Sequence, residues 1–258
     1  MHWRLLLTPA LGGPDNMALD VALMARARRT GESVLRVYSW NTPTLSLGRN
    51  QRALGVYDAE SLARHAVDVV RRPTGGRALL HHREITYSVT APALSHENHA
   101  SDYASINLLL LNALAALGVP AEIAARRARA PLPGALPCFA VPAAGELTVE
   151  GRKLAGSAQW RDDGALLQQG SILVDDDQGI ISGLLRDGED PSPVPAPATL
   201  RELLAHAPTP AELADRMLDA IRQLADPGAG RFEIEPEVQR EADRLADGYR
   251  DPRWTWRR

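Results

Sequence analysis

Residues 146–174 constrain the architecture more than any other stretch of this chain. Two strand-like runs, Glu146-Leu147-Thr148-Val149 and Lys153-Leu154-Ala155-Gly156-Ser157-Ala158-Gln159, are joined by Glu150-Gly151-Arg152. A glycine-containing connection of that kind fits a β-hairpin with a three-residue loop. Asp162-Asp163-Gly164 is a further turn signal, and a third strand over residues 165–174 follows it. The chain therefore carries a strand-rich unit built by local pairing.

Upstream of it, strand and helix patterns alternate. Residues 3–7 predict a short strand and residues 16–28 a helix that Asp15 or Asn16 can cap. Val34-Leu35-Arg36-Val37-Tyr38-Ser39-Trp40 alternates apolar and polar side chains and is rich in β-branched and aromatic residues, as a half-buried strand requires. Residues 44–47 predict another strand. A helix over residues 58–65 leads into Val67-Asp68-Val69-Val70, which runs straight into Arg71-Arg72-Pro73-Thr74-Gly75-Gly76-Arg77, a strand ending in a glycine loop. Residues 84–90 return as a strand and residues 102–117 form an apolar helix, while residues 126–137, basic and proline-rich, read as a loop.

Pro191, Pro193, Pro195 and Pro197 stand at every second position and predict a stiff extended linker over residues 191–198. It separates a main unit, residues 1–190, from a helical appendage, residues 199–258, packed against it. In the appendage Thr199 and Thr209 each precede a glutamate, Glu202 and Glu212, at capping-box spacing, and Pro210 takes a first-turn position. Leu213, Met217, Ile221 and Leu224 then form one apolar stripe.

Composition narrows the function classes. At 45% hydrophobic and 24% charged residues the chain can build a sizeable core, and a formal charge of -3 gives no global field toward nucleic acid or an anionic membrane. The single cysteine, Cys138, excludes an internal disulfide and a multi-cysteine zinc site, and it fits a reducing cytoplasm. The opening segment is too short in apolar residues for a signal peptide, and no run is long enough to span a bilayer. The chain is expected to be a soluble cytoplasmic protein with no metal site.

Four places can carry chemistry. In Arg71-Arg72-Pro73-Thr74-Gly75-Gly76 the glycines let a ligand approach the backbone and the guanidinium groups can neutralise a phosphate or polarise a carbonyl; the same pattern fits a hairpin turn with solvated arginines. Lys153 opens a strand of small residues, Gly156, Ser157 and Ala158, that leaves room for an extended ligand whose acyl oxygen or phosphate an ammonium could bind. A surface lysine on a hairpin is the alternative. Cys138 can be a nucleophile if nearby cations lower its pKa, or a small buried apolar residue, and His81 can pack or bind.

Taken together, these segments resemble the biotin/lipoate protein ligase superfamily, in particular its lipoate ligase and octanoyltransferase branch. The matching stretches are Asn16-Met17-Ala18-Leu19-Asp20, Trp40-Asn41, Leu45-Ser46-Leu47-Gly48, Gln51, the Arg71–Arg77 loop, His81, Thr86-Tyr87-Ser88, Gly151-Arg152-Lys153, Gly156-Ser157-Ala158-Gln159 and residues 168–173. The resemblance covers residues 3 to 175. It implies an α/β fold of the α+β type, with a mixed, largely antiparallel central sheet flanked by helices.

The resemblance also implies an acyl-binding site made by Arg71, Arg72, Thr74, Gly75, Gly76, His81, Gly156, Ser157, Ala158 and Gln169, with Lys153 orienting the acyl carbonyl. Cys138, fifteen residues before Lys153, matches the cysteine-dependent octanoyltransferase group in spacing and surroundings. That implies octanoyl transfer from acyl carrier protein, through a Cys138 thioester and without a cofactor, to a lysine of lipoyl domains of 2-oxoacid dehydrogenase E2 subunits or of glycine-cleavage H protein, by a monomer. A lipoate ligase using ATP and Mg, or a silent acyl-binding homologue, are the alternatives. One departure stands out: the group has histidine where this chain has Gln169, and an amide cannot accept a proton near neutral pH.

Overall fold

The computed structural model describes residues 2–93, 99–125, 139, 142–186 and 196–258. In chain order the elements are β1 (Trp3–Leu7), α1 (Gly13–Thr30), β2 (Ser33–Tyr38), β3 (Thr44–Leu47), α2 (Ala59–Arg64), β4 (Asp68–Arg71), β5 (Leu79–His81), β6 (Glu84–Pro92), α3 (His99–Ala116) and β7 (Glu122–Ile123). They continue with β8 (Leu147–Val149), β9 (Arg152–Asp162), β10 (Ala165–Leu173), α4 (Ile180–Gly183), α5 (Leu200–Leu203), α6 (Pro210–Leu224), β11 (Gly230–Arg231), α7 (Pro236–Arg250) and α8 (Pro252–Thr255).

The meander read from residues 146–174 forms β8, β9 and β10, toward one edge of an eight-stranded sheet of order β11-β1-β2-β6-β10-β9-β8-β7. Only the β11–β1 and β1–β2 pairs are parallel, so the sheet is largely antiparallel, as expected. Its turns are tighter than the sequence suggested. Val149 pairs with Arg152 and Asp162 with Ala165, leaving two-residue loops, Glu150-Gly151 and Asp163-Gly164. All four loop residues have positive φ, 51° and 73° in the first loop and 45° and 73° in the second, which is how a two-residue connection matches the twist of its strands.

A second sheet, β4-β3-β5, stands beside the first and ends in the glycine loop. Helix α1 lies between the main sheet and α7, with buried side chains around most of its circumference. Its N-cap is Gly12 with Pro14 in the first turn, rather than Asp15 or Asn16, because the Asn16 side chain is turned inward to Arg36 and to the carbonyls of Leu11 and Ser39.

On the opposite face, α3 and α6 cover the sheet. Leu110, Leu114, Leu213, Met217 and Ile221 join Leu35, Val37, Val89 and Leu166 in one core, at about 1.5–3 kcal/mol for each fully buried large aliphatic side chain. The capping box starting α6 is complete: Glu212 N–H donates to Thr209 Oγ1 at 3.2 Å and Thr209 N–H to Glu212 Oε2 at 2.7 Å. Helix α6 thus shares the main core, and β11 extends the sheet edge. The linker expected over residues 191–198 lies outside the described residues as far as residue 195. No helix among the described residues is long and apolar enough to cross a membrane.

Candidate active site

Where the two sheets meet, β5, β6, β9, β10, the first turns of α1 and the loop after β4 enclose a cavity of about 450 Å³. That volume is in the range of small-molecule sites. Met17, Tyr38, Trp40, Leu79, Pro142, Ala143 and Ala158 give it apolar walls, and Arg72, His81, Glu146, Lys153 and Gln169 supply polar groups. The arrangement suits a ligand that is an extended hydrocarbon with one polar end.

Lys153 is buried, and its Nζ donates to Glu146 Oε1 at 2.8 Å. The other carboxylate oxygen, Oε2, accepts from Ala143 N–H at 2.7 Å, which fixes the carboxylate and through it the ammonium. Removing one partner of so buried an ion pair costs about 3–5 kcal/mol, so both side chains are held where the hairpin puts them. The lysine can reach the cavity because residue 156 has no side chain: a Cβ there would stand 2.7 Å from Lys153 Cε and 2.8 Å from Nζ. Phe139 is also buried, and its ring centroid is 4.9 Å from the same Nζ. Cys138 precedes Phe139 in the chain and lies outside the described residues.

The two arginines of the glycine loop part company. Arg72 lines the cavity, donating to Ser46 O at 2.8 Å, Ser46 Oγ at 3.0 Å, Gly75 O at 2.8 Å and Arg77 O at 2.8 Å, so that one guanidinium ties β3 to the loop. Arg71 is not brought to the cavity. Adjacent residues of a strand face opposite sides, and its guanidinium is buried among main-chain carbonyls of Thr255 at 2.8 Å, Gly48 at 2.6 Å and Gln51 at 2.9 Å. Burial, and then the nearby Arg257, Arg258 and Arg72, push its pKa down to about 10. Gly75 and Gly76 line the cavity. Gly76 has a φ of 98°, and Gly48 packs so closely on it that a Cβ at residue 48 would be 2.0 Å from the Gly76 carbonyl oxygen.

Thr74 stands behind the wall and acts through Gln169, which is part of the wall. Thr74 Oγ1 donates to Gln169 Oε1 at 2.8 Å, and Gln169 Nε2 donates to Asp20 Oδ2 at 2.7 Å. Asp20, fully buried, also accepts from Arg36, Tyr38 and Ser88. Its negative charge dictates which end of the Gln169 amide faces it. The residue that departs from the histidine pattern is thus a strut between a buried carboxylate and the glycine loop.

His81 lines the cavity with its ring stacked on Trp40, centroids 4.0 Å apart. Nε2 meets Ser46 Oγ at 2.8 Å and Nδ1 meets Glu84 Oε1 at 3.3 Å. The Glu84 carboxylate, which also accepts from Thr86 and Ser171, can only accept, so the imidazole proton lies on Nδ1 and Nε2 accepts from the Ser46 hydroxyl. Burial lowers the His81 pKa despite the raising effect of Glu84, which favours this neutral form.

Ser157, Gly156 and Ala158 lie where the strand register requires, Ala158 opposite Gln169 and Ser157 opposite Gly170. Ser157 Oγ is 2.6 Å from Tyr87 Oη, a phenol whose pKa burial raises to about 12. Sequence reasoning missed the site roles of Tyr87, Glu84, Glu146 and Asp20. The hairpin register pointed to Glu146, since pairing Thr148 with Lys153 carries residue 146 past the lysine. Among the described residues, no group of three or more His, Cys, Asp or Glu side chains could hold a metal ion.

Comparisons with known proteins identify a family by sequence and a shared fold by structure. The profile of the lipoyl protein ligase A/B catalytic domain matches residues 13–222. A protein of Symbiobacterium thermophilum named octanoyltransferase LipM is 41% identical over 83% of this chain and 80% of its own. Its namesake from Kyrpidia tusciae is 38% identical over 99% of both chains. Among solved structures, protein Ta0514 of T. acidophilum with bound lipoic acid superposes with a TM-score of 0.79 at 20% identity, covering 99% of this chain and 100% of its own.

Proposed function

Since the chain belongs to the lipoyl protein ligase A/B catalytic domain family, we propose that it is an octanoyltransferase of lipoate biosynthesis that works through a thioester on Cys138. The donor is octanoyl-acyl carrier protein, and the acceptor is a lysine of a lipoyl domain or of glycine-cleavage H protein. The observation that most supports this reading is the buried Lys153 ammonium, held against the cavity by Glu146 and lying 4.9 Å from the ring of Phe139, the residue after Cys138.

In the first half-reaction the Cys138 thiolate attacks the donor carbonyl, and the carrier thiol leaves. Lys153 and the backbone amides of Gly75 and Gly76 bind the oxyanion, and the apolar walls take the acyl tail at about 0.8 kcal/mol for each methylene buried. In the second, the neutral acceptor amine attacks the enzyme thioester, an amide forms, and the proton released by the amine restores the thiol. The thioester conserves the activation of the acyl group, so the reaction needs no ATP. His81, with both ring nitrogens engaged inside the protein, shapes the cavity and steadies Arg72 through Ser46.

The test is to mix the protein with octanoyl-acyl carrier protein, without ATP, and record intact mass before and after hydroxylamine. A hydroxylamine-sensitive octanoyl adduct in the wild type and none in Cys138→Ala is the expected result. An adduct that persists in Cys138→Ala, or transfer that depends on ATP and free acid, sinks the thioester route.

A further inference from the structure

We propose that Arg49 and Arg257 form a binding site for the phosphate on the pantetheine arm of the thioester donor. The inference rests on the thioester reading above and adds the place where the donor's anionic group is held.

The site is made by the C-terminal segment crossing the loop after β3. Trp254 Nε1 donates to Arg71 O at 2.9 Å, the backbone N–H groups of Ala53 and Leu54 donate to Arg258 O at 2.8 and 2.7 Å, and the Arg257 guanidinium donates to Arg49 O at 2.7 Å. Two indoles then hold two guanidinium groups. Arg49 Cζ is 4.7 Å from the ring centroid of Trp160 and 5.9 Å from that of Trp254, and Arg257 Cζ is 3.9 Å from the Trp254 centroid. Stacking on aromatic faces orients a guanidinium while leaving its N–H edge available for a bidentate oxyanion.

Charge sets this cluster apart from the arginines just before it in the C-terminal segment. Arg250 is paired with Asp15 and Asp247, and Arg253 with Asp251. Among the described residues no carboxylate lies within ion-pair distance of Arg49, Arg52, Arg257 or Arg258, in a chain of net charge -3. The cations weigh on one another: the pKa of Arg257 is lowered by burial and then by Arg49 and Arg258. An incoming phosphate relieves that repulsion and accepts charge-assisted hydrogen bonds from a preset pair of donors.

Position fits the donor's shape. Trp160 points to the same face of β9 as Ala158, two residues earlier and part of the cavity wall, and Gly48, beside Arg49, abuts Gly76 on the rim. Trp160 is seven strand steps from Lys153, roughly 20 Å at strand rise. An arm with its thioester at Lys153, running along β9, carries its phosphate to Arg49; extended pantetheine is comparable in length.

The experiment compares octanoyl-4′-phosphopantetheine, octanoyl-pantetheine and octanoyl-acyl carrier protein as donors to an apo lipoyl domain, for wild type, Arg49→Ala/Arg257→Ala and Arg49→Lys/Arg257→Lys. In the wild type, kcat/KM is expected to be about tenfold or more higher for the phosphorylated small donor than for octanoyl-pantetheine, through KM. The alanine variant brings that ratio near one by losing activity toward the phosphorylated donor, and the lysine variant restores part of it. Equal loss with all donors would mean the arginines only support the fold, and loss with the carrier protein alone would mean they read its surface; either result overturns the proposal. Binding of 4′-phosphopantetheine itself, followed by tryptophan fluorescence, is tighter in wild type than in the alanine variant, and equal binding also overturns it. This readout stands even if no donor supports transfer, an outcome that would defeat the thioester reading alone.

Discussion

Lys153 occupies the space that a side chain at Gly156 would fill: a Cβ at residue 156 would come within 2.7 Å of Lys153 Cε and 2.8 Å of Nζ. The atoms in the way are the end of a flexible side chain, so Gly156→Ala is expected to fold, but shifting the buried ammonium against Glu146 should cost about 1–3 kcal/mol of stability. The ammonium must move, and displacement of a positioning group by about an ångström can cost about a hundredfold in rate. Octanoyl transfer by Gly156→Ala, measured on folded protein well below its melting temperature, should therefore fall by about that factor. Wild-type turnover in this variant would show that the position of Lys153 is not critical.

Gln169 yields a contrast among three substitutions. Gln169→Leu removes a donor from Asp20 and an acceptor from Thr74 Oγ1, both buried, and should lower unfolding free energy by about 1–3 kcal/mol. A neutral imidazole has one donor and one acceptor nitrogen, so Gln169→His can bridge the same partners and is expected to stay within about 1 kcal/mol of wild type. Gln169→Glu places a second carboxylate against Asp20, and burial beside a like charge raises its folded-state pKa. The protein then pays above about pH 4.3, where the unfolded carboxyl ionises, and gains stability relative to wild type as pH falls. Urea denaturation across pH checks all three, and equal stability of Gln169→Leu and wild type would remove the strut from the account.

How far the sequence revealed the site depends on whether the information was local. The strands, the glycine loop and the meander were legible because alternation and turn chemistry act over a few residues. The choice between Arg71 and Arg72 was not, since it depends on the register of β4 against β3, which pairs Leu47 with Arg71. The bond from Gln169 to Asp20 joins residues 149 apart in sequence, and no local pattern announces it. The same holds for β11: two residues make no periodic signal, and their place at the sheet edge follows from where α6 and α7 pack. Motif reading found the wall of the cavity, and only the fold could reveal what stands behind it.

His81 gives a pH dependence whose sign is fixed. Burial lowers its folded-state pKa below the ordinary histidine value, so the unfolded chain takes up a proton that the folded one refuses. The neutral ring's contribution is fully present above the unfolded pKa, about 6.5, and is lost progressively as pH falls below that toward the folded value. Wild type should lose stability relative to His81→Gln between about pH 6.5 and 5, above the range where most carboxylates titrate. Paired chemical denaturation curves over that interval test this, and parallel pH profiles for the two proteins would refute it.

Arg71 separates a structural guanidinium from a substrate-binding one. It is buried, has no carboxylate partner among the described residues, and joins the Gly48 and Gln51 carbonyls to that of Thr255 in the C-terminal segment. Arg71→Ala leaves those carbonyls without their donor and opens a cavity, so a loss of about 2–4 kcal/mol is expected. Arg71→Lys keeps the charge, but a single ammonium cannot match the planar fork, and it should recover only part of that loss. Earlier cleavage by protease near residues 252–258 should accompany the destabilisation, because the segment loses its anchor to β4. In the folded fraction, kcat/KM for transfer from octanoyl-pantetheine, which lacks the phosphate assigned to Arg49 and Arg257, should stay within a few-fold of wild type, since Arg71 does not line the cavity. The opposite pattern, full stability with transfer abolished, would return Arg71 to the acyl site.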